Sequence, residues 1–515
     1  MGKLAYVVAA VLVLFAVFRR RLFVDAQWVY EEPTSEESVA CCITPLSAGA
    51  RTVIAVGSSR TSSDSDYNIF MVALDETNGP RGPEDSPDYV IPSITLEFPG
   101  DQLGTQVMYD SENDRIVLLG TTTGNIPGAG GSSVQSLFIA VVRFDGTEFQ
   151  VLDIFQGGSL GATDAAVLLD VGDSYIGVGN GRTSGGPDVP PNELLQLVVN
   201  KDFSSSRVVS TNPLQNGEDY FAVYSGASKG DGYALAVEKA TLASNTRSFF
   251  MLEFNDNPTQ IGEIEFTAVS GALKFEVTSL IYSAQEDIYA FGGTRPGFSN
   301  PFVDPPTNAA TDYFRGSVNP GLGNYVAVLV AREDGIRPVF PVITVDVVNE
   351  PPTSFLAFTD NTVGAEVGTS FAGVTSFIGS DSTIRQYNSR SNTTELLIRE
   401  MNGFVYTSRD SFGVYYGASY RETENPFDCV GGPDRKDIVY SRMSAILEGG
   451  DIIYTDDFYL TFPTLCNEEV LDLAQSNNRY FSVGTSTGSI TGAEVSNGGL
   501  TTVMFVLGFA NSLPE

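Results

Sequence analysis

One pattern constrains this chain more than any other: a short apolar strand ending in glycine or a small residue, recurring at blade-like intervals along its length. It reads VIAVGSS (53–59), IVLLGTT (116–122), YIGVGNG (175–181) and YALAVEK (233–239), then IYAFGGT (288–294), AEVGTSF (365–371), GVYYGAS (413–419) and FSVGTST (481–487). A second apolar strand follows each time, as in NIFMVALD (68–75), LFIAVVRFD (137–145), LLQLVVNKD (194–202), FFMLEFND (249–256) and YVAVLVARED (325–334). TSFIGSDSTI (375–384), DIVYSRMSAI (437–446) and TTVMFVLGF (501–509) continue that series. Many of these runs are apolar on successive residues, as expected of a strand covered on both faces.

A strand precedes each glycine-ended one, for example TSLIYSAQED (278–287) and EVLDLAQSNN (469–478). A fourth strand follows the third, as in SITLEFPG (93–100) and DIIYTDDFYL (451–460). Gln106–Gln150 holds most of one such unit, with a hairpin across VMYDSENDRIVLLG. Repeats of four short strands predict an all-β fold, a β-propeller. Eight four-stranded blades are expected, with seven as the alternative because the unit over 342–390 is the least regular. A pair of β-sandwiches with coincidental spacing is the competing architecture. The last unit ends on its third strand, so AQWVYEE (26–32) is expected to return and pair there, removing an exposed sheet edge. The predicted organisation is a signal peptide or anchor over 1–26 and a single propeller domain over 27–515.

Leu4–Phe18 is the only membrane-grade segment, and at about 1.5 Å per residue it covers roughly 22 Å of a core about 30 Å thick. Lys3 before it and Val24-Asp25-Ala26 after it suit a secretory signal cleaved near Ala26. Arg19-Arg20-Arg21 favours keeping that end in the cytosol, as an uncleaved anchor would. The expected location is secreted or cell surface, with membrane contact only through this segment if it stays.

Acids outnumber bases 63 to 29, a formal charge of −34. Such a chain repels phosphate backbones, so nucleic acid is excluded as a partner. The absence of histidine excludes Ser-His-Asp and Cys-His catalysis and His-ligated zinc. Acid–base chemistry would fall to carboxylates, Tyr or Lys, and a carbohydrate-active enzyme built on carboxylates and some of the 22 tyrosines is the alternative to a non-enzymatic propeller.

Four cysteines allow three connectivities. Cys429–Cys466 joins two connections on one face of a propeller, whereas a bridge from Cys41 or Cys42 to Cys466 would staple the first blade to the last. Such a staple would add roughly 2–4 kcal/mol in an oxidising compartment. Asn392-Thr393-Thr394 is the one glycosylation sequon, with Asn392 as acceptor. No cofactor is implied other than calcium, for which Asp64 and Asp66 are the candidate ligands. Ser63-Asp64-Ser65-Asp66 places Asp64 and Asp66 at calcium-loop spacing without the Gly turn or distant Glu that completes such a loop.

The connections are asymmetric. Turns between first and second strands are short, such as SEND (111–114) and KGDG (229–232). Those between second and third strands are long, as in 122–136, 181–193, 294–324, 421–436 and 485–499. All of these emerge on one face, where recognition is normally placed. The 294–324 connection carries Phe298, Phe302, Asp304, Tyr313, Phe314 and Arg315, and exposed aromatics with Arg are typical interface anchors. A protein or glycan partner, or self-assembly, is expected on that face.

DYNIFMVALDETNG (66–79), SLFIAVVRFDGTE (136–148) and EDIYAFGGT (286–294) resemble the bacterial-type β-propeller repeats of large secreted proteins, often called SBBP repeats. The Asp-Ala-Phe that usually opens that strand is absent here. The resemblance implies a propeller with surface or adhesive use and carries no catalytic residues across.

Overall fold

The computed structural model describes residues 28–32, 37–46, 51–60, 66–82, 89–129, 135–158, 164–181, 192–211, 220–241, 246–265, 276–283, 287–295, 312–322 and 325–332. Beyond these it describes the strands between 342 and 462, and then 468–476, 479–487 and 502–510. From 325 to 470 it describes backbone paths only.

The protein is a β-propeller: consecutive antiparallel sheets with their strands paired in chain order, except that the last takes the N-terminal strand at its edge. Blade one is Glu37–Pro45, Thr52–Arg60, Asn68–Asp75 and Ser93–Leu96; blade two is Gln102–Asp110, Arg115–Thr122, Ser136–Phe144 and Phe149–Gly157. Blade three is Asp164–Val171, Ser174–Gly181, Glu193–Asn200 and Ser206–Thr211; blade four is Tyr220–Ser228, Gly232–Thr241, Thr246–Asn255 and Gln260–Glu265. Blade seven is Asn402–Arg409, Val414–Glu422, Lys436–Glu448 and Asp451–Phe462. Blade eight is Glu468–Ser476, Arg479–Ser486 and Val503–Ala510, with Trp28–Glu31 as its outer strand. The N-terminal strand pairs antiparallel with Val503–Ala510, Trp28 opposite Gly508 and Glu31 opposite Phe505. That is the pairing expected for AQWVYEE.

Two units differ from the expected register. Blade five has five strands, starting with Glu276–Ser283, and Asp312–Val318 is hydrogen-bonded between Ile288–Arg295 and Tyr325–Arg332. Tyr325–Arg332 is therefore the fourth strand, not the third, and Val342–Val345 is a fifth. The sixth station is reduced. Ala357–Thr359 pairs only with Gly364–Glu366, and the expected strand 375–384 is instead a hairpin, Val374–Ile378 with Ile384–Asn388, extended by Thr393–Ile398. Ala357–Thr359 nevertheless packs between the first strands of blades five and seven, as the first strand of a blade does.

Among the described residues, burial follows position within the blade. Asn68–Asp75 is buried at every residue, so a continuously apolar run fits it. The outer strand Gln260–Glu265 has no buried residue. The core is divided into clusters that each lie between two neighbouring blades, such as Ile54, Val56, Met71 with Ile116, Leu118 and Phe138 between blades one and two. Blade stacking thus supplies the hydrophobic stabilisation.

Candidate functional site

The first strands carry a feature that repeats from blade to blade. Those of blades one to five and eight each have a one-residue bulge, at Cys41, Thr105, Ala166, Tyr224, Thr278 and Leu471. A bulge leaves backbone groups unpaired and turns the strand, and here neighbouring blades satisfy those groups. The residue after the bulge accepts from the amide two places beyond the bulge in the next blade. Asp472 Oδ2 takes Ile43 N–H (2.9 Å), Gln106 Oε1 takes Leu168 N–H (2.6 Å) and Ser225 Oγ takes Leu280 N–H (3.1 Å). The amide before the bulge donates to a second-strand side chain of the preceding blade: Ala40 N–H to Thr485 Oγ1 (3.0 Å), Gly104 N–H to Ser58 Oγ (3.3 Å) and Val223 N–H to Asn180 Oδ1 (2.8 Å).

At the short-turn end a second repeat holds the blades together. Tyr175, Tyr233 and Tyr289 each occupy the second position of a second strand and are fully buried. Their hydroxyls donate back to the preceding blade, to Asp110 Oδ2, Gln196 Oε1 and Glu253 Oε1 respectively. Burial pushes all three phenols well above their ordinary range, with the Asp110 and Glu253 carboxylates adding to it at Tyr175 and Tyr289. They remain donors at physiological pH and cannot act as bases. Desolvation pulls Asp110 upward, but bonds from Tyr175 and Asn113 outweigh it and hold its carboxyl below the usual range.

A depressed carboxylate contributes stability above its unfolded value, about 3.9, which is lost as pH falls through the lower folded value. The gap in unfolding free energy between the parent and Asp110→Asn, measured in urea, is therefore expected to be widest near neutral pH and to narrow as pH falls below the unfolded value of about 3.9. A gap that does not change with pH would refute this assignment.

The opposite end bears the long connections between Thr122 and Ser136, Gly181 and Glu193, Arg295 and Asp312, Glu422 and Lys436, and Ser486 and Val503. At the junction of blades one and two its rim is described. Arg60 pairs with Glu37, their side chains 43% and 27% exposed, and the guanidinium lies 5.0 Å over the Tyr67 ring. Asp101 Oδ1 accepts Tyr67 N–H (2.9 Å), and its own N–H reaches Thr123 Oγ1 (2.8 Å). Gly124 must be glycine, because a Cβ there would stand 1.5 Å from the Pro99 carbonyl oxygen. The arrangement offers an exposed cation, an aromatic ring and acids on a rigid base, which suits polar recognition.

Several residues singled out in the sequence fall elsewhere. Tyr313, Phe314 and Arg315 lie in a strand paired on both sides, opposite Thr294, Gly293 and Gly292, so the connection read over 294–324 is confined to 296–311. Phe298, Phe302, Asp304, Asp64, Asn392, Cys429, Cys466 and the 1–26 segment lie outside the described residues. Asp66 Oδ2 accepts Gly100 N–H (3.0 Å), and among the described residues no group of three or more His, Cys, Asp or Glu side chains could hold a metal.

Cys41 and Cys42 are bonded to each other, which rules out a staple from either to Cys466. The reason is the bulge. In a regular strand neighbouring side chains point to opposite faces, whereas a bulge at Cys41 lets both lean the same way. No sequence pattern marks the bulges. The recurrent Tyr at the second position of the second strand was visible in YIGVGNG and IYAFGGT.

No family model matches this chain, and no curated protein does. Among solved structures it resembles the β-propeller domain of the Trilobed protease from Pyrococcus furiosus, described as having an open velcro topology, at TM-score 0.37 and 10% identity, over 79% of this chain and 94% of that one. It also resembles Pyrococcus horikoshii acylaminoacyl peptidase, at TM-score 0.38 and 9% identity, over 89% of this chain and 60% of that one. A chain from the S. cerevisiae complex of dbp5 with nup159 and gle1 matches at TM-score 0.36 and 11% identity, over 94% and 95%. Likenesses at this level carry no argument about what this chain does.

Proposed function

We propose that this chain is an exported, non-enzymatic β-propeller that serves as an interaction or structural module at a cell surface or in an extracellular assembly. One observation carries the reading. Buried Asp110, Glu253 and the three tyrosines are committed to contacts between blades at the short-turn end, while the long connections all leave from the other end. Long loops on a rigid frame are a recognition surface. The Arg60–Glu37–Tyr67 rim gives that surface polar and aromatic groups suited to a protein or glycan partner. The likeness of 66–79, 136–148 and 286–294 to bacterial-type propeller repeats supports the same use. Export would remove the apolar Leu4–Phe18 segment or leave it as an anchor.

The test is the mass of the native protein from its own source, by light scattering, with N-terminal sequencing of the same material. An ordered complex with itself or a partner, and a start near Gln27 or a retained anchor, is the expected result. A free monomer that hydrolyses glycans would overturn the proposal and favour a carbohydrate-active enzyme.

A further inference from the structure

In blades eight, two and four the residue after the inner-strand bulge is Asp472, Gln106 or Ser225, each bonded to the next blade. In blade one that position is Cys42, and its sulfur is bonded to the bulge residue itself, Cys41. Cys42 is 4% exposed and belongs to the apolar cluster shared with Ile116 and Leu118 of blade two. Cys41 is partly exposed. It faces Gly104, the residue before the bulge in blade two, where an added Cβ would stand 3.2 Å from Cys41 Sγ. The pair therefore occupies the seam between blades one and two, with Cys42 buried in the apolar cluster and the partly exposed Cys41 packed against its edge.

Stabilisation through the unfolded chain grows with the loop that a disulfide closes. This bridge joins chain neighbours, with Cα atoms 3.7 Å apart, and closes no loop beyond a single peptide unit. Loop closure does not account for it. An apolar or hydrogen-bonding side chain, as in the other blades, would serve the seam as well.

We infer that Cys41–Cys42 is a thiol–disulfide site, reducible by external dithiols, whose state sets the packing of the seam between blades one and two. A dithiol's thiolate attacks Sγ of Cys41, the more exposed residue of the pair, and Cys42 leaves as a thiolate and takes a proton. The reagent's second thiol then displaces Cys41, which is released as a thiol while the reagent closes its own disulfide. Two electrons and two protons pass from the dithiol to the pair. Once cleaved, the two side chains are no longer held on one side of the bulge, and the contacts of Cys42 in the core and of Cys41 with Gly104 loosen.

The experiment uses the full chain in native buffer, treated with dithiothreitol and then iodoacetamide, with the modified residues mapped by mass spectrometry. Hydrogen exchange is followed over 102–110 in blade two and 164–171 in blade three. Both Cys41 and Cys42 are expected to be alkylated without denaturant, and exchange over 102–110 to quicken about tenfold while 164–171 stays unchanged. In Cys41→Ser/Cys42→Ser the reductant is expected to have no effect on 102–110. In Cys429→Ser/Cys466→Ser, which keeps only the adjacent pair, the response should match the parent. Failure to alkylate the pair under native conditions would overturn the inference. So would unchanged exchange over 102–110 in the reduced parent, or a response that vanishes in Cys429→Ser/Cys466→Ser.

Discussion

Replacing Trp28 by alanine is expected to lower the unfolding free energy by about 3–5 kcal/mol, the range for truncating a large buried aromatic. Trp28 is 5% exposed and touches both the first blade and the last. Its indole N–H donates to the Glu76 carbonyl (3.3 Å), which also accepts from Arg479 Nη1 (3.1 Å). Its ring lies 5.9 Å from that of Phe481 in blade eight. The indole packs onto Gly79 of blade one and Gly508 of blade eight, where an added Cβ would stand 2.2 Å and 2.3 Å from its atoms. One side chain thus bolts the first blade to the last, in a space that only glycine leaves open.

Urea titration with fluorescence of the tyrosines measures the loss. Gly79→Ala should destabilise as well, because φ at this position is +58° and the indole fills the space its Cβ would need. A Trp28→Ala loss under about 1 kcal/mol would place the residue among surface substitutions and refute its role in joining the blades.

Lys229→Met is expected to cost about 3–5 kcal/mol, because it leaves Glu253 as an uncompensated buried charge. Glu253 is fully buried, with its carboxylate accepting Gly321 N–H at 2.6 Å and lying 3.3 Å from Lys229 Nζ. Lys229 is 18% exposed and lies 3.8 Å from the exposed Asp231, so solvent and a second acid reach it in part. Glu253→Gln alone should therefore cost less than Lys229→Met alone. Combining the two should recover part of the loss, with a coupling of about 1–3 kcal/mol in a double-mutant cycle. Strictly additive losses would mean that the ion pair is not what holds Glu253 in the seam between blades four and five.

Much of the propeller was legible because a strand stacked between two sheets has to be apolar at successive positions. NIFMVALD was read as a strand with the bounds it has, Asn68–Asp75, and the return of AQWVYEE followed from a last unit short of one strand. The same property misleads at blade five. YVAVLVARED carries the strongest apolar run and reads as the third strand. DYFRGSV, with its Asp, Arg and Gly, has no such run and reads as loop. The aromatics chosen there as anchors, Tyr313 and Phe314, are strand residues in consequence.

The sequence alone determined the strand order outside blade five and the sixth station, the side of the disc that carries long connections, and the chemistry that a chain without histidine cannot perform. Only the tertiary structure decided how the blades are joined. Asp472 meets the Ile43 amide, Trp28 meets Gly508, and the bulge at Cys41 turns its sulfur toward Cys42 rather than toward a distant partner. Apolar periodicity is a local property set by burial of each strand. A bulge, a tether or a disulfide depends on which backbone groups and side chains a neighbouring blade brings within hydrogen-bonding or bonding distance, and no local pattern encodes that proximity.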